Sequence, residues 1–375
     1  MKVIVAADKF KGSLSAAEVG AHLATGLYEA RPGITVVQLP VADGGEGTVA
    51  AALSAGFRFV RVVAEGPTGQ RVETGYAERE GVAIVEMADV SGLCLLSGDQ
   101  LAPLTASSYG TGEVLKAALD AGSRRVVLGV GGSACTDGGA GMVQALGARV
   151  LDKTGHELAR GGALLAGAHQ LKLDALHPAL SETELVLACD VNNPLLGSRG
   201  AAAVYGPQKG ASDADVKQLD RALSHWADIV CATTGTDVSE HPGAGAAGGV
   251  GYAALALLGA VMRPGSELVL ELIDFRGNLG DAALVITGEG SLDKQTLHGK
   301  APMGVAAAAR EAAVPVVAVA GRCELSAESL AEVGIRGVYA VTDLESDPQR
   351  CMRDAGVLLE RLAARIAQDW LLDAR

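Results

Sequence analysis

The chain has 375 residues, 49% of them hydrophobic, with 50 glycines and a formal net charge of −13. That length exceeds one ordinary core and predicts two domains, and so apolar a composition excludes a disordered chain. The acidic balance argues against a nucleic-acid surface, which needs a basic stripe, but allows a small anionic substrate held by a few lysines.

The first predicted element is a strand at 3–7, entered directly from Met1 without the apolar core and cleavage site of a signal peptide. A Gly/Ser turn, a helix near 15–30 and a strand at 35–39 ending at Pro40 follow, then a helix at about 47–55. This β-α-β-α order predicts a parallel sheet covered by helices. Segments 59–63, 71–76 and 82–86 then read as short strands joined by turns at Gly66-Pro67 and Glu80-Gly81, an antiparallel meander. A helix at 110–121, a strand at 125–130 and a helix at 139–147 come next. A strand at 184–189 ends at Asp190, and a helix spans 213–230. The C-terminal part alternates again: strand 283–287, helix 302–312, strands 315–320 and 337–341, and a last helix at 351–373.

The simplest assembly is an α/β protein with one doubly wound parallel-sheet domain built from the chain's two ends, 1–62 with 280–375. A second α/β domain, 63–279, is inserted in it, and 105–148 is a further candidate for the first domain. The segment from Gly243 to Met262 carries no charge, but its glycines and alanines favour a buried helix, or a loop and helix, over a membrane span. Six scattered cysteines without a Cys/His cluster fit reduced thiols of the cytoplasm and give no zinc site.

Three segments set bare backbone beside carboxylates: Asp43-Gly44-Gly45-Glu46-Gly47-Thr48, Asp137-Gly138-Gly139-Ala140-Gly141 and Gly288-Glu289-Gly290-Ser291-Leu292-Asp293. Each follows an apolar run that reads as a strand, where ligands bind in α/β sheets. Glycine lets amide groups approach a phosphate, and carboxylates can hold Mg²⁺ beside it. Lys9, Lys11, Lys209, Lys294 and Lys300 all lie in glycine-rich or motif-like stretches. Gly129-Val130-Gly131-Gly132-Ser133-Ala134 fits a dinucleotide fingerprint, but Asp137 would then stand close to a pyrophosphate. The P-loop pattern, protein-kinase signatures and the nucleophile elbow are all missing.

Read in order, these segments resemble one family, the bacterial glycerate kinases of the first class. The matching stretches are Asp8-Lys9-Phe10-Lys11-Gly12-Ser13-Leu14-Ser15-Ala16, Pro40 to Thr48, Ser107-Ser108-Tyr109-Gly110-Thr111-Gly112-Glu113 and Gly131 to Gly139. They continue through Asp190-Val191-Asn192-Asn193-Pro194-Leu195, Gly206-Pro207-Gln208-Lys209-Gly210-Ala211, Ala246 to Gly251 and Thr287 to Lys300. Thr136 departs from the pattern, standing where the family often has Asn. The resemblance implies a flavodoxin-like domain plus a second α/β domain, with the site in the cleft between them. It implies transfer of the ATP γ-phosphoryl group to D-glycerate with Mg²⁺, giving 2-phosphoglycerate.

On that footing Asp190 is expected to orient or deprotonate the acceptor hydroxyl, and Asp43 and Glu289 to hold Mg²⁺. Lys11 and Lys300 would bind the substrate carboxylate or the transferring phosphate. Lys9, Ser13, Asn193, Lys209, Asp293 and Gln295 are further substrate or phosphate contacts. Gly131, Gly132, Ser133 and Asp137 are assigned to the nucleotide. The expected partners are small molecules, not nucleic acid or membrane, and the chain is expected to be a cytoplasmic monomer or homodimer. A kinase for another hydroxy acid or sugar acid is the nearest alternative. An NAD-dependent reductase resting on Gly129-Val130-Gly131 and a non-catalytic ligand sensor remain open.

Overall fold

The computed structural model describes residues 1–294, 296–298 and 300–371. The strands run in the order β1 (Lys2–Ala7), β2 (Thr35–Gln38), β3 (Arg58–Glu65), β4 (Arg71–Arg79), β5 (Val82–Glu86) and β6 (Arg125–Gly129). A short antiparallel pair, β7 (Arg149–Leu151) and β8 (Gln170–Lys172), precedes β9 (Glu184–Ala188) and β10 (Val261–Arg263). The chain closes with β11 (Ala282–Leu292), β12 (Val316–Cys323) and β13 (Ile335–Ala340).

The chain divides into two compact units: Met1–Asp43 with Ala50–Ala55 and Ser266–Arg375, and Gly44–Val49 with Gly56–Gly265. The sequence reading sets junctions at 62/63 and 279/280. In the structure the corresponding crossings lie at 55/56 and 265/266, and residues 105–148 fall in the second unit. Both shifts have a cause in pairing and burial. Strand β3 pairs with β4 along its whole length, from Arg58 opposite Glu78 to Glu65 opposite Arg71. Helix Gly265–Leu272 puts Val269 and Leu270 into a core of the first unit.

The first unit is a five-stranded parallel sheet in the order β13-β12-β11-β1-β2. Numbered within that unit, this is 2-1-3-4-5, the flavodoxin-like order, whose direction of winding reverses between β1 and β11. Both faces are covered, so the central strands read as unbroken apolar runs. Val3, Val5 and Ala7 face one core with Leu23, Leu27, Leu359 and Leu362, while Ile4 and Ala6 face another with Val305 and Ala306. Helix Ala16–Ala30 starts at a capping box, in which Ser15 Oγ accepts from the Glu18 amide and Glu18 accepts from the Ser15 amide. The last helix of the sequence reading breaks into Pro348–Arg353 and Ala355–Leu371, with Asp354 as the C-cap of the first.

The second unit holds a six-stranded mixed sheet, β10-β9-β6-β5-β4-β3. Strands β10, β9, β6 and β5 are parallel, and β4 and β3 add the antiparallel meander read from the sequence. The uncharged stretch after Gly243 forms a loop and helix Ala246–Leu257, kinked where Ala247, Gly248 and Gly249 take left-handed backbone. Among the described residues no helix is long and apolar enough to cross a membrane.

Helices Ala16–Ala30 and Ala355–Leu371 touch backbone to backbone at Gly26, where an added Cβ would stand 2.1 Å from the Glu360 carbonyl oxygen. Gly26→Ala therefore has to push the two helices apart. We expect a loss of about 1–3 kcal/mol, the usual range for overpacking, read as a lower denaturant midpoint with an unchanged slope. An unchanged midpoint would contradict this packing.

Candidate active site

In a sheet of this order ligands bind outside the carboxyl ends of the strands, at the reversal of winding, here between β1 and β11. Asp8 follows β1 directly, and its amide donates to the Gly288 carbonyl at 2.8 Å. Asp43 follows β2 through a segment whose Val41 amide donates to Ala7. Glu289 lies within β11, opposite Ala320. Three carboxylates thus come from the ends of three adjacent strands. The sequence reading ends the third strand at 287 and treats Gly288 to Asp293 as a loop; the structure extends β11 to Leu292. The glycines make this extension possible, since a Cβ on Gly288 would meet the Val319 oxygen at 2.1 Å.

Asp8 is 7% and Glu289 8% exposed. Burial is the main reason the Asp8 carboxyl is pushed up to about 7; Lys9 opposes that rise, while the charges of Asp43 and Glu289 add to it. The Lys9 amide donates to Asp8 Oδ1 at 2.6 Å, and Lys9 Nζ stands 3.7 Å from the same oxygen. Burial also raises Glu289, against the pull of Thr296 and Lys300. Glu289 Oε1 accepts from Thr296 Oγ1 at 2.6 Å and Oε2 from Lys300 Nζ at 3.2 Å. Asp293 folds the following turn: its amide donates to Thr296 Oγ1, and its carboxylate accepts from the Thr296 amide. Lys11 is exposed and Ser13 half-buried on a turn closed between Phe10 and Leu14, and a Cβ on Gly290 would lie 3.3 Å from the Lys11 amide. Gln295 lies outside the described residues.

The second unit gathers a separate set of loops at the carboxyl ends of β5, β6 and β9. Added Cβ atoms on Gly129, Gly131 and Gly44 would fall 2.4 Å from the Gly44 oxygen, 2.6 Å from Gly45 Cα and 2.6 Å from Gly265 Cα. Only bare backbone lets these turns stack so closely. Glu86, at the end of β5, accepts from the Gly47 and Val49 amides at 2.9 and 3.0 Å and so fixes the acidic glycine loop. Asp190 Oδ1 accepts from the Gly265 amide at 2.8 Å, where helix Gly265–Leu272 begins. Gly129 and Gly131 thus serve the close packing of these turns.

Two residues of the sequence reading, Asp137 and Lys209, prove to be interior, and a third, Asn193, is half-buried with both ends of its amide bonded. Asp137 is 1% exposed and accepts from Ser107 Oγ, Ser108 N and Oγ, Gly139 N and Gly141 N at 2.8–3.3 Å. Its oxygens tie its own loop to the turn at Ser107-Ser108. Lys209, read as an exposed lysine or an anion contact, is 1% exposed and donates to Ser133 Oγ at 2.9 Å and to the Cys135 carbonyl. Asn193 donates to Arg199 O and accepts from Tyr205 Oη. Thr136 is fully buried, and its hydroxyl has no hydrogen-bond partner among the described residues.

The model of the glycerate kinase family matches residues 3–371. The chain belongs to the glycerate kinase family. It is therefore a phosphotransferase with an alcohol acceptor, which sets the reductase and sensor readings aside. It is 43% identical to the glycerate kinase of Bacillus subtilis (strain 168) over 370 residues, 98% of this chain and 97% of that one. It is 42% identical to the glycerate 2-kinase of Escherichia coli (strain K12) over 344 residues, 91% of this chain and 90% of that one. A crystal structure from Salmonella typhimurium LT2, described as glycerate kinase 2, superposes with a TM-score of 0.83 at 41% identity, covering 99% of this chain and all of that one.

Sequence reasoning left Asp8, Thr296 and Glu86 out of the site. Asp8 had a signal, since it is the first residue after the first strand; Thr296 lay near Glu289 and Asp293 in the chain without a pattern that marks its hydroxyl, and Glu86 had none, because the amides it binds are nearly forty residues away. The raised Asp8 pKa has a definite consequence for stability. Its folded value near 7 exceeds the ordinary 3.8, so its contribution is fully present below about pH 4 and is lost as pH rises through 7. In metal-free buffer we expect Asp8→Asn to raise the unfolding midpoint at pH 8 and to change it little at pH 4. An equal shift at both pH values would contradict this account.

Proposed function

We propose that this chain transfers the γ-phosphoryl group of ATP to D-glycerate, giving 2-phosphoglycerate and ADP, with Mg²⁺ bound. The observation that carries this reading is near-full-length similarity to a protein named glycerate 2-kinase, together with the crowding of carboxylates at the switch point of the first unit. Among the described residues no three His, Cys, Asp or Glu side chains converge on a metal position by themselves. Mg²⁺ is usually held by one or two carboxylates, with phosphate oxygens and water completing the shell. Asp43 and Glu289 would hold it, and the raised values of Asp8 and Glu289 mark a place where added positive charge is favourable. When bound, the ion neutralises phosphate charge.

The chain's own groups account for the remaining needs of the reaction. Lys11 and Lys300 offer ammonium groups to the glycerate carboxylate or the transferring phosphate, and Lys9, Ser13 and Asp293 lie on the same two loops. Gly131, Gly132 and Ser133 offer backbone amides to the nucleotide phosphates. Asp190, oriented by its bond from the Gly265 amide, takes the proton of the acceptor hydroxyl. That oxygen bonds to phosphorus as the bond from phosphorus to the ADP oxygen breaks.

³¹P NMR of the protein with Mg-ATP and D-glycerate tests the reaction. The expected result is a new phosphomonoester signal coupled to the C2 proton. Coupling to the C3 methylene would change the product to 3-phosphoglycerate, and no ATP consumption would overturn the proposal. For Asp190→Asn we expect kcat to fall by about 10²–10⁴, the usual worth of a general base. A loss below about tenfold would remove Asp190 from that role.

A further inference from the structure

Lys209 is one of the largest fully buried side chains of the second unit, yet it makes no salt bridge among the described residues. Burying an ammonium is expensive unless its hydrogens are used. Here they go to two atoms of one short loop, Ser133 Oγ and the Cys135 carbonyl. The same loop is strapped from its other side: the Leu93 amide donates to Gly132 O at 2.8 Å and the Ala134 amide to Ser91 O at 2.9 Å. Gly132 carries the left-handed φ of +68°. The Gly131, Gly132 and Ser133 amides donate to no other described group. Consecutive free amides around a left-handed residue form an anion-binding concavity.

A hydroxyl oxygen that accepts from an ammonium keeps its own hydrogen to donate. Ser133 Oγ donates to no other described group. We propose that Lys209 is a positioning residue for the nucleotide, acting through Ser133: its buried amine holds the loop and turns the Ser133 hydroxyl into a donor to a phosphate oxygen, beside the three amides. The lysine never touches the ligand. This deepens the assignment of Gly131 to Ser133 to nucleotide phosphates and rests on that reading. The carboxylate whose charge acts on Lys209 is Asp137, and its oxygens are already taken up by five donors. Burial itself lowers the Lys209 pKa, with Cys135 and Asp137 acting against that shift.

The test is calorimetric titration of the whole chain with MgADP, which needs no turnover, followed by a double-mutant cycle. We expect Ser133→Ala to weaken MgADP binding about tenfold, the scale of one lost charge-assisted hydrogen bond, and Ser133→Thr to restore most of it. Lys209→Met should weaken binding similarly, and the double variant should be little worse than either single one. Additive losses in the double variant would overturn the proposal. So would unaltered binding by Ser133→Ala, and that result stands even if Lys209→Met fails to fold. If the wild-type chain binds no MgADP, the nucleotide reading and the inference fall together. If it binds and Ser133→Ala binds equally well, only the inference falls.

Discussion

Everything in the first unit's site depends on how buried carboxylates are tolerated at the end of a parallel sheet. Glu289 is buried within β11, opposite Ala320 of β12 and one residue beyond the pairing of β11 with β1. Its oxygens must find donors locally, and they do so in Thr296 and Lys300, both on the segment that follows β11. That explains why the glutamate, the threonine and the lysine lie within twelve residues of one another. Asp8 has a poorer settlement. Its partners are its neighbour's amide and a lysine 3.7 Å away, so burial wins and the proton is held more tightly than in water.

The second unit solves a different problem, that of bringing several turns to one place. Side chains would keep the turns apart, and the distances at Gly44, Gly129 and Gly131 leave room for none. Glu86 then does for the acidic glycine loop what a capping residue does for a helix, accepting from two amides that the turn leaves over. The loop is packed and bonded despite its glycines. Packing of this kind is what amide donors need if they are to bind phosphate without the entropy cost of being ordered first.

Much of the fold was legible in the sequence, because strands buried on both faces read as apolar runs and the capped helices carry their own start signals. The strand at 3–7, the meander and the strand ending before Asp190 all follow from that. The site was legible only as a set of segments. Asp43-Gly44-Gly45-Glu46 and Asp137-Gly138-Gly139 look alike as strings, yet the carboxylate of the second is bound by Ser107 and Ser108, thirty residues earlier. Lys209 between two glycines looks like a loop tip. Its burial depends on Ser133 and Cys135, which no local pattern brings near it. The extension of β11 through Gly288 and Gly290 was hidden for a related reason, since glycine reads as a strand breaker until its neighbours are known to approach too closely for any other residue.

Asp8 and Lys209 are opposite answers to the burial of charge, and the difference bears on their roles. Lys209 gives hydrogens to two acceptors of one loop, Ser133 Oγ and the Cys135 carbonyl, which offsets part of the cost of burying it and makes it part of the scaffold. Asp8 faces two other carboxylates and too little positive charge, so its cost is not met by the protein alone. A fold keeps such an imbalance only where something else relieves it, and a group that relieves it by binding the folded state stabilises that state in proportion to its affinity. The unbalanced charge at the strand ends is therefore better evidence for a functional site than the balanced one beneath Ser133, and the balanced one is the better foundation for holding amides in place.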